Sequence, residues 1–261
     1  MKKIISIVLA ALLCMSLFAA CQPSANNSET GNNDETGLTT LTAGKLIMST
    51  NAEFPPYEMT DDDGNYIGID VEIATAVAEK LGLKLEVMDV AFDAALLAVQ
   101  EGKSDIVMAG VTVNDERKLV MNFTETYATG KQVVIVKDGS DVTLDNLGEK
   151  MIGTQRGTTG NIYSTDDYGE DHVTAYDNGA TAVQALMNGQ VDCVIIDNAP
   201  AQEYVKANAG LKILETEYVV EDYAIGVAKN NVALKDAINT ALTELIADGT
   251  VQGILDKYIT A

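Results

Sequence analysis

The residues of this 261-residue chain most able to do chemistry are an arginine, an aspartate and small polar residues around them. Arg117 follows Asn114-Asp115-Glu116, a few residues after Ala109, Gly110 and Thr112. Its planar guanidinium can grip a carboxylate through two parallel hydrogen bonds. Asp197 ends an apolar run, Cys193-Val194-Ile195-Ile196, and can take an ammonium group. Backbone N–H groups at a glycine or a helix start, such as Gly110 or Thr159, add donors for an anion. Together these groups suit a small zwitterion. The chain has only two arginines, Arg117 and Arg156, and both fall in segments of this kind. Two plainer roles compete: an ion pair of Arg117 with Asp115 or Glu116, and Asp197 as the N-cap of a helix before Ala199.

The elements that would position these residues follow from periodicity. Strands are predicted over 45–50, 84–90, 105–108, 132–136, 151–154 and 192–196. Helices are predicted over 70–81, 92–101, 179–187, 199–208, 232–247 and 250–258. The alternation implies a mostly parallel α/β architecture. In open parallel sheets, ligands bind beyond the carboxyl ends of the strands. There the sequence places Asn51 and Phe54 after the first strand. Ala109, Gly110, Thr112 and Arg117 follow the third. Gln155, Arg156, Gly157, Thr158 and Thr159 follow the strand ending at 154, and Asp197 follows the last. One pattern occurs twice: a helix end, a glycine, two residues, an aspartate and an apolar strand, at Gly102/Asp105 and again at Gly189/Asp192. The separation of 87 residues (189 minus 102) is too long for a solenoid period and suits two similar lobes.

The N-terminus has the grammar of export. Lys2 and Lys3 precede an apolar run from Ile4 to Leu13, and Ala19-Ala20 precede Cys21. Residues 22–42 are rich in Ser, Asn, Thr, Glu and Gly, and read as a flexible tether spanning roughly 25 Å. If the signal leaves and Cys21 is modified, Cys193 is the only remaining thiol, a small buried hydrophobe rather than a nucleophile. The net charge is −22, or −24 without Lys2 and Lys3 (15 basic against 39 acidic), which argues against nucleic acid as a partner. The lone His172 reads as an exposed loop residue, and no cofactor or metal site is apparent.

These residues carry resemblances. Leu17-Phe18-Ala19-Ala20-Cys21 resembles a bacterial lipoprotein lipobox, which implies a lipid anchor on Cys21. Phe54-Pro55-Pro56-Tyr57-Glu58, Gly68-Ile69-Asp70-Val71, Gly110-Val111-Thr112-Val113-Asn114-Asp115-Glu116-Arg117, Gly157-Thr158-Thr159 and Asp192-Cys193-Val194-Ile195-Ile196-Asp197 resemble, in order, the family 3 solute-binding proteins. Details such as Gln155-Arg156-Gly157 and Asp197-Asn198-Ala199 look nearest the arginine/lysine/histidine-binding branch. The resemblance implies a type II periplasmic-binding-protein-like fold, two parallel-sheet lobes joined by a two-crossing hinge. The signal would be 1–20 and the tether 21–43. One lobe would be 44–130 plus 224–261, the other 131–223, with crossings near Gly130 and Tyr223. The partners implied are an amino acid ligand, an ABC transporter permease and the membrane, with the protein acting as a monomer. Arg117 and Thr112, with backbone at Gly110 and Thr159, would hold the α-carboxylate. Asp197 and the backbone of Ala109 or Gly110 would hold the α-ammonium. Phe54 and Phe92 would sandwich the side chain, unless they are simply core. Asn51 and Gln155 would read its end, and Thr158 would join the site. Basic-amino-acid binders of this family carry an aspartate where Asn51 stands, and Glu53 could supply that charge by turning inward. The side chain is read as polar and compatible with a cation. Two rival functions are weighed: a cyclohexadienyl dehydratase-like enzyme, and a sensor lipoprotein that presents ligand to a receptor.

Overall fold

The computed structural model describes residues 32–33, 38–214 and 218–259. The signal segment, Cys21 and most of the tether lie outside the described residues. The chain is already packed at Leu38, which lies against the core, earlier than the tether reading placed it. The N–H of Leu41 donates to Asp105 at 2.8 Å.

Nine strands form one sheet among the described residues: β1 Lys45–Thr50, β2 Lys84–Asp89, β3 Ile106–Val107, β4 Met121–Lys137, β5 Ile152–Gln155, β6 Val173–Tyr176, β7 Cys193–Asp197, β8 Leu211–Ile213 and β9 Val219–Ala228. Eight are hydrogen-bonded in the order β6-β5-β7-β4-β9-β3-β1-β2, and β8 pairs with β4. Eight helices cover the sheet: α1 Ile69–Lys80, α2 Phe92–Gln100, α3 Asp115–Val120, α4 Thr159–Tyr168, α5 Gly179–Met187, α6 Asn198–Ala207, α7 Val232–Ala247 and α8 Thr250–Tyr258. The helices bury the apolar faces that helical spacing sets. In α1 these are Ile69, Ile73, Ala74, Val77 and Ala78.

The expected α/β architecture with parallel strand clusters is present, and two long strands add antiparallel pairs to it. The pairs β1–β2, β1–β3, β5–β6 and β5–β7 are parallel. The antiparallel pairs all involve β4 or β9. These two long strands run from one parallel cluster into the other, and so join two lobes through one continuous ladder. Their pairing shifts register between Tyr223 and Ala224, and again between Ala224 and Gly226. Such bulges bend and twist a ladder. Gly130 lies under Tyr223: a Cβ there would sit 1.8 Å from the phenolic oxygen. Only glycine fits that approach.

The repeated pattern has a repeated geometry. α2 and α5 each end in a residue of ordinary helical conformation, followed by Gly102 at φ 68° and Gly189 at φ 72°. In each, the next N–H reaches back five residues, from Lys103 to Ala98 and from Gln190 to Ala185, which completes a Schellman cap. Asp105 then accepts from the N–H of Ile47 at 2.8 Å, and Asp192 from that of Met151 at 2.8 Å. Each aspartate thus ties the start of one strand to its parallel neighbour, and each lobe presents strand ends to the same cleft.

Candidate functional site

A pocket with an empty volume of about 300 Å³ lies between the lobes. It is lined by Asn51, Phe54, Phe92, Ala109, Gly110, Thr112, Arg117, Gln155, Thr158, Thr159 and Asp197, the residues to which the sequence reading gave a ligand contact, and by Glu58, but not by Arg156, Gly157 or Glu53.

Arg117 is the third residue of α3. The Asn114 side chain caps that helix by accepting from the Arg117 N–H at 2.8 Å. The capped turn directs the guanidinium inward, where Nη1 donates to Thr112 O at 2.9 Å and Nη2 to Gly157 O at 3.3 Å. The group lies over Phe92, 5.5 Å from the ring centre. Asp115 pairs instead with Lys118, so the surface ion pair does not form. Arg117 is only 7% exposed, and burial pulls its pKa down although Glu221 opposes this. Guanidinium carries five N–H donors, so most of them remain to bind an anion.

Asp197 ends β7 and occupies the N-cap position of α6, but its side chain makes no capping bond. It is 6% exposed, and Oδ1 has no hydrogen-bond partner among the described residues. Burial, and then the nearby Glu221 carboxylate, push its pKa up to about 8. A buried carboxyl without a cation is held neutral until a positive group arrives.

The remaining residues divide between the lobes. Thr112 and Thr159 meet hydroxyl to hydroxyl at 3.4 Å. Gln155 Nε2 donates to Asn51 Oδ1 at 2.8 Å, and Asn51 Nδ2 to Val90 O at 3.1 Å. Thr158 caps α4, accepting from the Asn161 N–H at 3.2 Å and donating to Gln155 O at 2.8 Å. Phe54 and Phe92 are both buried walls of the pocket, and Phe54 also stacks on Tyr57. These bonds across the cleft describe a closed arrangement.

Three expectations are corrected. The Gly110 N–H already donates to Asp70 Oδ2 at 2.8 Å, so it is not a spare donor for a carboxylate. Glu53 is exposed and accepts from Asn178 at 3.0 Å rather than turning inward. His172 is half-buried, with Nδ1 3.3 Å from Lys150 O, and it does not line the pocket. A second acidic residue lines the pocket besides Asp197: Glu58, which sequence reasoning passed over. Its only signal was a carboxylate in an otherwise apolar and aromatic stretch, Pro55-Pro56-Tyr57-Glu58-Met59. Glu221 was missed too: it is buried, accepts from Gln132 at 2.9 Å, and raises the pKa of Asp197.

Residues 46–261 match the profile of the bacterial extracellular solute-binding proteins, family 3, and the chain belongs to that family. It is 32% identical over 247 residues to a probable histidine-binding protein of Neisseria gonorrhoeae, covering 92% of each chain. It is 31% identical over 221 residues to the ABC transporter arginine-binding protein 1 of Escherichia coli, covering 83% of this chain and 91% of that one. Among solved structures it is similar to an ancestral arginine-binding protein bound to glutamine. The TM-score is 0.79 at 39% identity, over 84% of this chain and 100% of that chain. Like the other members of its family, the protein is an extracytoplasmic solute-binding protein.

The buried carboxyls give a signed pH prediction. Above about pH 4 the unfolded chain has released protons that native Asp70, with pKa about 6, and Asp197, with pKa about 8, still hold. Native binding of extra protons means that stability falls as pH rises through this range, by up to about 1.4 kcal/mol per pH unit for each group. Ligand-free protein should therefore melt at progressively lower temperature from about pH 5 to about pH 8. Asp197→Asn should flatten the upper part of that fall in a calorimetric series. A variant whose melting profile tracks the wild type throughout contradicts the assignment.

Proposed function

We propose that this protein captures one free amino acid, with a polar or cationic side chain, between its lobes and delivers it to an ABC importer. The observation that carries the reading is a buried guanidinium, Arg117, and a buried carboxyl, Asp197, brought to one pocket without being bonded to each other. Leaving such groups buried is costly, and a zwitterion satisfies both at once. Arg117, with Thr112 and the N–H of Thr159 at the start of α4, holds the α-carboxylate. Asp197, with the carbonyl oxygen of Ala109 or Gly110, holds the α-ammonium. Phe54 and Phe92 flank the side chain, and Asn51, Gln155 and Thr158 complete the wall around its end. The protein acts as a single chain and as a binding protein rather than an enzyme.

The lobes are 44–130 with 224–261, and 131–223. Because Arg117 belongs to the first and Asp197 to the second, a ligand that touches both favours the closed form by its differential affinity. The closed shape is what the permease reads. The test is a thermal-shift screen of the twenty amino acids. A true ligand at about 100 times its Kd adds about 2.7 kcal/mol, or roughly 5–10 °C for a chain of this size. Arg117→Ala should weaken the best ligand about 100-fold, since one partner of a buried charge pair is removed. Binding within twofold of wild type contradicts the site.

We further propose that 1–20 is a signal, that Cys21 carries the lipid, and that the segment after it is the tether to the outer face of the membrane. Cys21→Ala should release the protein from the membrane fraction, and mass spectrometry of the wild type should find acyl chains on Cys21. An unmodified N-terminus with unchanged fractionation contradicts it.

A further inference from the structure

Asp197 does not stand alone on its sheet. Two more buried polar side chains, Gln132 and Glu221, lie beside it without lining the pocket. Strand register puts them there. In the antiparallel pairing of β7 with β4, Asp197 lies directly opposite Gln132. Residues directly opposite each other project from the same face of a sheet. On the other side of β4, Glu221 of β9 lies opposite Gly130, two residues from Gln132 and so on that same face. The amide of Gln132 is thus flanked by a carboxyl on each side.

The bonding follows that placement. Gln132 Nε2 donates to Glu221 Oε2 at 2.9 Å. A carboxamide nitrogen carries two N–H groups, so one is left for a second acceptor. Asp197 is that acceptor: apart from its own backbone, the Gln132 amide is the hydrogen-bonding group that bears on its carboxyl. Turning the amide over would set its oxygen against two acceptors, so Oε1 points the other way, towards α4. Gly160 makes room for it there, since a Cβ at 160 would stand 2.7 Å from Oε1. Asp197 has little else to hold it. It sits at the N-cap of α6 without making a capping bond, and its Oδ1 has no partner among the described residues.

Resting on the amino acid reading above, we propose that Gln132 is the positioning residue of the ammonium end: anchored by Glu221, its amide fixes the Asp197 carboxyl so that one oxygen stays turned to the ligand's α-ammonium. Gln132 acts only through Asp197. A carboxyl held in place beforehand does not have to be ordered by the ligand, and that saving appears as affinity. The saving belongs to the ammonium alone, because the carboxylate end is read by Arg117.

The test is calorimetry with three probes. The first is L-arginine or L-glutamine, whichever binds the wild type more tightly. The second is the same molecule with its α-ammonium replaced by hydrogen, and the third has its carboxylate converted to a carboxamide. Two preferences are read from them, one for the amine and one for the carboxylate. Gln132→Leu keeps the bulk and removes the donor. It should lower the amine preference at least ~10-fold, as expected for a lost hydrogen bond to a charged group, and change the carboxylate preference less than about threefold. Gly160→Ala leaves Gln132 in the chain but crowds its amide, and should lower the amine preference by about threefold or more, again sparing the carboxylate preference. Alanine is a better helix former than glycine, so this variant decides the matter if Gln132→Leu does not fold. Loss of both preferences together overturns the proposal, because that is what general damage to the fold would do. An unchanged amine preference in either folded variant overturns it too. If the wild type binds the amino acid without preferring the amine, the role of Asp197 fails and this proposal with it, while amino acid capture stands. If neither amino acid binds, the amino acid reading fails and this inference fails with it.

Discussion

Burying a guanidinium and a carboxyl in one cleft without joining them is the constraint on which the rest of this structure turns. A lone buried charge costs several kcal/mol, and proteins avoid one unless something else is to meet it. Arg117 keeps two carbonyl contacts and the face of Phe92, enough to orient it but too few to occupy it. Asp197 keeps a free oxygen, and Glu221 behind it opposes its ionisation. Each group is cheaper to hold once a group of opposite charge is supplied from outside.

In the proposed division those two groups sit on separate lobes. Each lobe repeats the same device, a Schellman-capped helix followed by an aspartate that ties the next strand to its neighbour, at Gly102/Asp105 and Gly189/Asp192. Strand ends from both lobes therefore face one cleft. β4 and β9 connect the lobes by pairing, not by loops alone, and their bulges near Tyr223 place the bend within the ladder. Hydrogen bonds from Gln155 to Asn51 and from Arg117 to Gly157 then span the cleft. A ligand that adds bonds on both sides acts on an interface whose geometry is already complementary.

Much of this was legible because it was local. The spacing of apolar residues fixed α5, α7 and α8 to the residue, and the glycine caps announced the repeat. Post-strand position brought Arg117 and Asp197 under suspicion before any contact was known. What could not be read was non-local. The sheet's antiparallel half depends on β9, whose pairing with β4 spans about a hundred residues of sequence and leaves no periodic mark. The extent of α4 was not legible beyond its start because its residues, Thr159–Tyr168, are polar and carry little apolar pattern. Glu58 was overlooked because a strand of three residues does not say which face is buried. Likewise the Gly110 N–H looked free until α1 brought Asp70 beneath it.

Both charged ends of an amino acid backbone are held in the proposed site, the carboxylate chiefly by Arg117 and the ammonium chiefly by Asp197. This is tested most directly by calorimetry with the tightest-binding amino acid and two derivatives of it. One has the carboxylate converted to a carboxamide, and the other has the amine acetylated. Each modification removes one charge and leaves the side chain intact. The account predicts that each derivative binds at least ~100-fold more weakly, because each leaves Arg117 or Asp197 buried without the group it is placed to meet. Binding of either derivative within about threefold of the parent amino acid would contradict it.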